Sequence, residues 1–401
     1  MIRRRRRTVA EPRDPGHAEH PSAPHEHGHS FYEPGEFLDA PASEPIPERE
    51  VSLARRFLNL RTIGSIVFGV ALLVLLFVFV LGVDWGRTWS QIVHANLGLL
   101  FVALAMYYLT FPLRGFRWAF ILRRTGTPIR LVPATEILFL SWFVNCLVPA
   151  KLGDLYRAYL LKGTYGASAS RTVGTIFIER IADIIVVFGL DLAAGYWSFR
   201  GRQRPEVDAL FIAGFVVAVA LVLFVLALRF AGGHLTRFLP SRLADLYERF
   251  HEGSTGALTP ASVPVIVMVT GAIWLLEGLR LYFVIHALNL PAAHLGISAS
   301  VFVALAAALL TAIPLTPAGV GFVEAGIVGA LLIYGVPHES AVAVALTDRA
   351  ISIMTVIVLG GILYAFSGMV RRAHGAGPAQ RGRLRGQKTV AGAPSGKIGQ
   401  P

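Results

Sequence analysis

The sequence predicts an all-α polytopic membrane protein: six full spans plus two Pro/Gly-broken re-entrant hairpins, arranged as an inverted repeat. Three observations predict it: long apolar runs, the distribution of Lys and Arg between them, and a pattern shared by two broken apolar regions.

Of the 401 residues, 54% are hydrophobic and only 15% are charged, with a mean hydropathy of +0.58; soluble domains carry about 25% charge. Six runs, at about 62–83, 97–121, 172–197, 207–230, 263–287 and 341–367, reach the roughly 20 residues that a helix needs to cross a ~30 Å hydrocarbon core. In lipid each backbone polar group must be bonded within the protein, so these runs are helices. Nothing resembles the ~10-residue alternation of a membrane β-barrel.

The basic loops set the orientation. Arg55, Arg56 and Arg61 precede the first span; Arg123, Arg124 and Arg130 follow the second; Lys151, Arg157, Lys162 and Arg171 precede the third. Arg237, Arg242 and Arg249 separate the fourth and fifth spans, and Arg371 and Arg372 follow the last. All fit the cytoplasmic side of a bacterial inner (plasma) membrane with both termini inside, and the loop 84–96 and segment 288–296, poor in Lys and Arg, fit the outside. Arg200, Arg202 and Arg204 fall on the outer side against this rule.

Flanking the membrane domain (56–370) are a leader (1–55) rich in Pro, Glu, Arg and His and a basic tail (371–401). The leader carries too little apolar surface to fold and is expected to be disordered, and no apolar segment or small-residue cleavage site directly follows Arg3–Arg7 as a cleavable signal would require. The net charge is +12, and two basic clusters stand at the ends, the block Arg3–Arg7 and a tail with seven basic residues and no acid; they read as charge beside anionic lipid, not as a nucleic-acid surface. The histidines 17, 20, 25, 27 and 29 read as a solvated stretch and not as a metal site, and Cys146, the single cysteine, has no partner in the chain. No cofactor or metal is expected.

The two broken regions, 133–162 and 297–336, must each begin and end on one face, the first on the cytoplasmic and the second on the outer face. Their sequences match: Pro149-Ala-Lys-Leu-Gly153, Tyr165-Gly166 and Glu179-Arg180 in one, Pro317-Ala-Gly-Val-Gly321, Tyr334-Gly335 and Asp348-Arg349 in the other. From the proline to the arginine is 31 residues in the first and 32 in the second. This implies duplication, with repeat 1 at about 62–197 and repeat 2 at about 207–367. Inverted repeats with broken helices meeting near the midplane mark transporters; a scaffold built by duplication is the alternative.

Ionisable residues inside spans are costly and so face a cavity or a partner. Glu179, Arg180 and Asp183 lie in the third span, Glu277 and Arg280 in the fifth, and Asp348 and Arg349 in the sixth. Asn145, Pro149, Gly153, Asp154 and Arg157 belong to the first hairpin, and Pro317, Gly319, Gly321 and Glu324 to the second. Helices restarting at Gly153 and Gly321 would aim their positive ends into a cavity, where arginines would attract an anionic head group. Paired ions that only lock helix packing are the competing reading. Arg114, Arg117 and Trp118, toward the inner end of the second span, read as head-group anchors that snorkel to the interface.

Read together, Arg114-x-x-Arg117-Trp118, Asn145-x-x-x-Pro149-x-x-x-Gly153-Asp154-x-x-Arg157, Glu179-Arg180-x-x-Asp183, Pro314-x-x-Pro317-x-Gly319-x-Gly321-x-x-Glu324 and Asp348-Arg349 resemble the flippase-like membrane proteins grouped with the transmembrane region of lysylphosphatidylglycerol synthase, from about Ile63 to Val370. The resemblance implies movement of a lipid or lipid-linked intermediate between leaflets. The two-domain synthases carry a soluble aminoacyltransferase domain after the membrane region; about 30 polar residues follow the last span here, so aminoacyl transfer is not expected of this chain. No G-x-x-x-x-G-K-[ST] loop is present, so ATP would not drive transport directly. The alternatives are an integral-membrane enzyme using Glu179, Asp183 or Asp154 as acid or base, and an accessory scaffold for envelope lipid or glycan synthesis. The expected partners are membrane lipids with anionic or polar head groups, with envelope-biosynthesis enzymes as further candidates and no nucleic acid. The particular lipid and the oligomeric state are not legible.

Overall fold

The computed structural model describes residues 84–200 apart from Pro149, scattered positions between 212 and 227, and residues 240–375 apart from 291–294 and 311–315. The leader, the tail beyond 375, the expected span 62–83, most of 207–230, and Pro149, Arg202, Arg204 and Pro314 lie outside the described residues.

Among the described residues every regular element is a helix. In chain order these are α1 (Trp85–Val93), α2 (Leu97–Arg124), α3 (Leu131–Leu147), α4 (Leu152–Tyr165), α5 (Ala169–Ser198), α6 (Ser241–Thr255), α7 (Val263–Ala287), α8 (Ile297–Leu310), α9 (Phe322–Ile333), α10 (His338–Arg349), α11 (Thr355–Phe366) and α12 (Gly368–Gly375). A single π-helical turn, Ala350–Met354, joins α10 to α11. Three helical stretches are long and apolar enough to cross a membrane: Leu97–Arg124, Val263–Ala287 and His338–Phe366. The 30-residue α5 is as long but carries Glu179, Arg180, Asp183 and Asp191 along its length.

Local chemistry fixes the helix starts. Asp84 caps α1 through bonds of 3.0 and 3.2 Å from the Gly86 and Arg87 amides. Asn96 caps α2 through bonds of 2.9 and 3.2 Å from Gly98 and Leu99. Two helices occupy segments expected as loops. α1 lies in 84–96, and α6 lies in the basic stretch between the fourth and fifth expected spans. α6 forms because it packs on α5 at two glycines, Gly174 and Gly253, each of which brings its backbone against the facing helix.

The two broken regions are helical hairpins. In the first, α3 packs on α4; in the second, α8 packs on α9. Their arms hold 17, 14, 14 and 12 residues, and at about 1.5 Å per residue none spans a ~30 Å core by itself. Both turns after the proline use left-handed backbone: Ala150 and Lys151 have φ of 61° and 53°, and Ala318 and Gly319 have 50° and 70°. Asn145 then tethers the restarted α4, its Oδ1 accepting from the Gly153 amide at 2.8 Å. Gly153 is required there, because a Cβ would strike the Ser141 carbonyl oxygen. In the second hairpin Glu324 does the capping, its Oε2 accepting from the Gly321 amide at 2.7 Å.

α2 and α7 pack along each other at the centre. Each approaches the first arm of a hairpin at a glycine. Gly115 meets Thr135 and Gly278 meets Val301, and in each case a Cβ would lie 3.1 Å from the facing Cα. Small residues at such contacts let helix backbones close up where lipid offers no hydrophobic drive.

The bundle has two distinct ends. At one, Gln91 bonds Ser340 at 3.0 Å, the Asn96 amide bonds the Ala287 carbonyl at 2.7 Å, and the Ser198 and Tyr334 hydroxyls meet at 2.7 Å. At the other, the Tyr159 hydroxyl bonds the Ala373 carbonyl at 3.0 Å, Ser170 the Leu246 carbonyl at 2.6 Å, and Ser367 the Glu136 carboxylate at 2.6 Å. α2, α5, α7 and the α10–α11 rod therefore each run from end to end. The base of the α3–α4 hairpin sits at the second end, and the base of the α8–α9 hairpin at the first.

Candidate functional site

Apart from Asp191, the buried charges form one network, assembled at the level where the hairpin turns meet α2, α5, α7 and α10. On the first-hairpin side Arg117 contacts two carboxylates of α5. Its Nη1 donates to Asp183 Oδ1 at 2.5 Å, and its Nε lies 3.4 Å from Glu179 Oε1. Arg157 of α4 holds the other Glu179 oxygen at 2.6 Å and lies 4.7 Å from the centroid of the Trp118 ring. Arg180 grips Asp154 with two groups, Nη2 at 2.9 Å and Nε at 3.1 Å. Trp274 donates to Asp183 Oδ1 at 3.2 Å.

On the second-hairpin side the same contacts recur with other residues. Arg280 of α7 holds Asp348 at 3.2 Å, as Arg117 of α2 holds Glu179. Arg349 holds Glu324 at 3.1 Å, as Arg180 holds Asp154. Arg349 also donates to the Ala318 carbonyl at 2.5 Å, which pins the left-handed turn. The π turn follows directly and leaves the Ser352 carbonyl accepting from the Tyr107 hydroxyl at 3.0 Å; such single-turn bulges concentrate at functional sites.

Between the two sides Arg114 and Glu277 pair at 2.8 Å. Glu277 also holds Arg280 at 3.1 Å, and the Arg114 guanidinium lies 4.7 and 5.6 Å from the Trp142 and Trp274 ring centroids. These central residues belong to matching tetrapeptides, Arg114-Gly115-Phe116-Arg117 and Glu277-Gly278-Leu279-Arg280.

A cavity of about 390 Å³ opens within this network, inside the range of small-molecule sites. Its wall takes Asn145, Lys151, Asp154, Arg180 and Asp183 from the first side, Ala318, Gly319, Asp348 and Arg349 from the second, and Arg114, Glu277 and Arg280 from the centre. Gly153, Arg157, Glu179, Pro317, Gly321 and Glu324 stand behind the wall and hold it; Pro149 lies outside the described residues. Arg114, Arg117 and Trp118 do not anchor at the interface: the two arginines are 4% exposed and Trp118 is fully buried. Snorkelling requires a charged head in water, whereas these guanidiniums turn inward to carboxylates on α5 and α7. Lys151, Tyr107, Trp142, Cys146 and Trp274 also line the cavity. The aromatics carry no signal in sequence, because an aromatic in an apolar span looks like packing; Lys151 reads in sequence only as one more loop cation.

Among the described residues no three His, Cys, Asp or Glu side chains group as a metal site, and each carboxylate of the network is shared with an arginine. The arrangement holds buried charge in place around the cavity.

Residues 63–360 match the family model of the lysylphosphatidylglycerol synthase transmembrane region. The chain belongs to this family. It is an integral membrane protein, and several of its relatives carry the name UPF0104 membrane protein. It is 34% identical over 222 residues to a UPF0104 membrane protein of Methanocaldococcus jannaschii, covering 55% of this chain and 93% of the relative. A UPF0104 membrane protein of Methanothermobacter thermautotrophicus is 28% identical over 283 residues, 66% of this chain and 82% of that one. Glycosyltransferase AglD of Haloferax volcanii is 26% identical over 338 residues, 74% of this chain and 53% of the relative. These relatives are archaeal, so they do not bear on the bacterial inner membrane expected from the sequence.

Proposed function

We propose that this family member translocates a lipid, or a lipid-linked anionic head group, between leaflets, without hydrolysing ATP itself and without performing chemistry on the lipid. The observation that carries this reading is a charged cavity walled by both hairpins, beside each of which a hairpin carboxylate pairs with an arginine of α5 or α10, Asp154 with Arg180 and Glu324 with Arg349.

In this reading the chain has six spans and two re-entrant hairpins related by an inverted repeat. The recurrence of the Arg117–Glu179 and Arg180–Asp154 contacts as Arg280–Asp348 and Arg349–Glu324 supports it, as do the hairpin bases at opposite ends. Arg114 and Glu277 occupy equivalent positions of the two copies and face each other, as residues on a twofold axis do. Orientation follows charge: the end holding Arg123, Arg124, Arg130, Lys162, Arg171, Arg371 and Arg372 faces the cytoplasm, while the other end carries Arg87 and Arg200 among the described residues. A cavity with charged residues in its wall and both hairpins around it suits a head group whose acyl chains stay in lipid, and transport would run downhill or be coupled to protons or to the membrane potential.

The test is leaflet translocation of fluorescent phospholipids in proteoliposomes. Wild type should exceed empty vesicles, and Arg180→Ala and Arg349→Ala should each slow movement by about 10–100-fold, the worth of a charge-assisted hydrogen-bonded contact. The reading fails if no lipid of a broad panel moves faster than in empty vesicles. A second reading, an accessory or enzymatic part in glycan assembly, is favoured by one observation, the similarity to a protein named a glycosyltransferase. Deleting residues 1–55 should abolish a scaffold that recruits through its leader and leave translocation largely intact.

A further inference from the structure

We propose that the cavity takes a lipid head group bearing one net negative charge, a phosphodiester, and that Lys151 is the residue that anchors it. That the ligand is a lipid rests on the translocation reading; the charge and the anchor rest on the wall itself.

The ion-pair network is electrically balanced. Its six arginines face six carboxylates, each arginine within ion-pair distance of at least one of them. Lys151 is the remaining cation of the cavity wall, and among the described residues no carboxylate pairs with it. The cavity therefore presents one positive charge in excess. A phosphodiester neutralises it. A diphosphate would import surplus negative charge among carboxylates already matched by arginines, and a zwitterionic head group would leave the excess in place.

The backbone gives an independent reason to assign Lys151 a task. It sits at φ 53°, directly after Ala150 at 61°, in a region that residues with side chains enter only at a cost. The corresponding turn of the second hairpin has Gly319 at φ 70°, where glycine adopts the conformation freely. The first turn thus keeps a lysine where its own geometry favours glycine, and strain of this kind marks functional positions. The lysine also directly precedes the 14-residue α4, whose positive end adds to the attraction for an anion.

The experiment measures ligand-induced shifts in the thermal unfolding of the detergent-solubilised full-length protein, which report binding without requiring transport. The probes are short-chain phosphatidylglycerol, short-chain phosphatidylcholine, farnesyl diphosphate and glycerophosphoglycerol, the last being the same phosphodiester without acyl chains. Phosphatidylglycerol should bind best. Lys151→Gly should weaken that binding by about tenfold or more, the worth of one charge-assisted contact, while the ligand-free melting temperature holds or rises because the strained turn is relieved. Lys151→Arg should stay within about threefold of wild type, since the charge and donors are kept.

Unchanged phosphatidylglycerol binding in Lys151→Gly overturns the proposal. So does equal binding of phosphatidylcholine or farnesyl diphosphate, and so does a fall of affinity and ligand-free stability together, which would make the lysine structural. Equal binding of glycerophosphoglycerol would show a soluble anion as the ligand and overturn the lipid assignment. Lys151-dependent binding in a protein that moves no lipid would sink the translocation reading alone.

Discussion

Alanine at Glu179 is expected to destabilise the protein by about 3–5 kcal/mol, the cost of stranding a buried charge. Glu179 is 3% exposed and stands between Arg117 and Arg157. Arg117 keeps Asp183 when Glu179 is lost, but Arg157, itself 2% exposed, keeps no carboxylate within ion-pair distance among the described residues, only the Trp118 ring. A double variant, Glu179→Ala with Arg157→Met, should recover most of the loss, because removing both members of a buried pair is often close to neutral. Arg171→Ala is the contrast. Its pair with Glu252 has side chains 33% and 49% exposed, and solvent-exposed pairs contribute about 0–1 kcal/mol. Thermal unfolding in one detergent, compared across the four proteins, gives the answer.

The central pair offers a sharper result. Arg114→Glu alone and Glu277→Arg alone should each prevent a monodisperse, folded preparation, since either reversal buries like charges beside one another at a cost of at least about 3–5 kcal/mol. Combining the two should restore folding to a large degree. If the two copies are equivalent, exchanging Arg114 and Glu277 returns the same arrangement seen from the other side, with the carboxylate now on α2 beside Arg117 as Glu277 stands beside Arg280 in the native chain. Size-exclusion profiles and melting temperatures of the two singles and the double decide it. A double variant as damaged as the singles would mean that the two positions are not equivalent.

The end-to-end helices were legible because lipid leaves the chain no other option. The runs expected at 97–121, 172–197, 263–287 and 341–367 appear as 97–124, 169–198, 263–287 and 338–366. The hairpins were legible because Pro and Gly interrupt runs too short to cross in one pass. α6 was not legible, because its polar surface resembles a solvated loop and its packing depends on Gly174 and Gly253 meeting across 79 residues of chain. The arginine partners were hidden for the same reason. Arg117 stands only seven residues before the end of α2, close enough to read as an anchor, and only the fold brings up Asp183, 66 residues later. The shared Gly-x-Arg of Gly115 to Arg117 and Gly278 to Arg280 is visible in the sequence. Two matched residues carry weight only once both glycines are seen closing α2 and α7 onto the first arms of the hairpins.

The account depends above all on the hairpins opening to opposite faces of the membrane. With the single cysteine removed as Cys146→Ala, a cysteine is introduced either at Arg130, at the base of the α3–α4 hairpin, or at Gly296, at the base of the α8–α9 hairpin; both positions are exposed, and a Cβ at Gly296 meets open space. Sealed vesicles of known orientation are then treated with a membrane-impermeant maleimide. Arg130→Cys should react only from the cytoplasmic face and Gly296→Cys only from the opposite face. Reaction of both from one face would contradict the inverted arrangement and, with it, a cavity that could serve the two leaflets in turn.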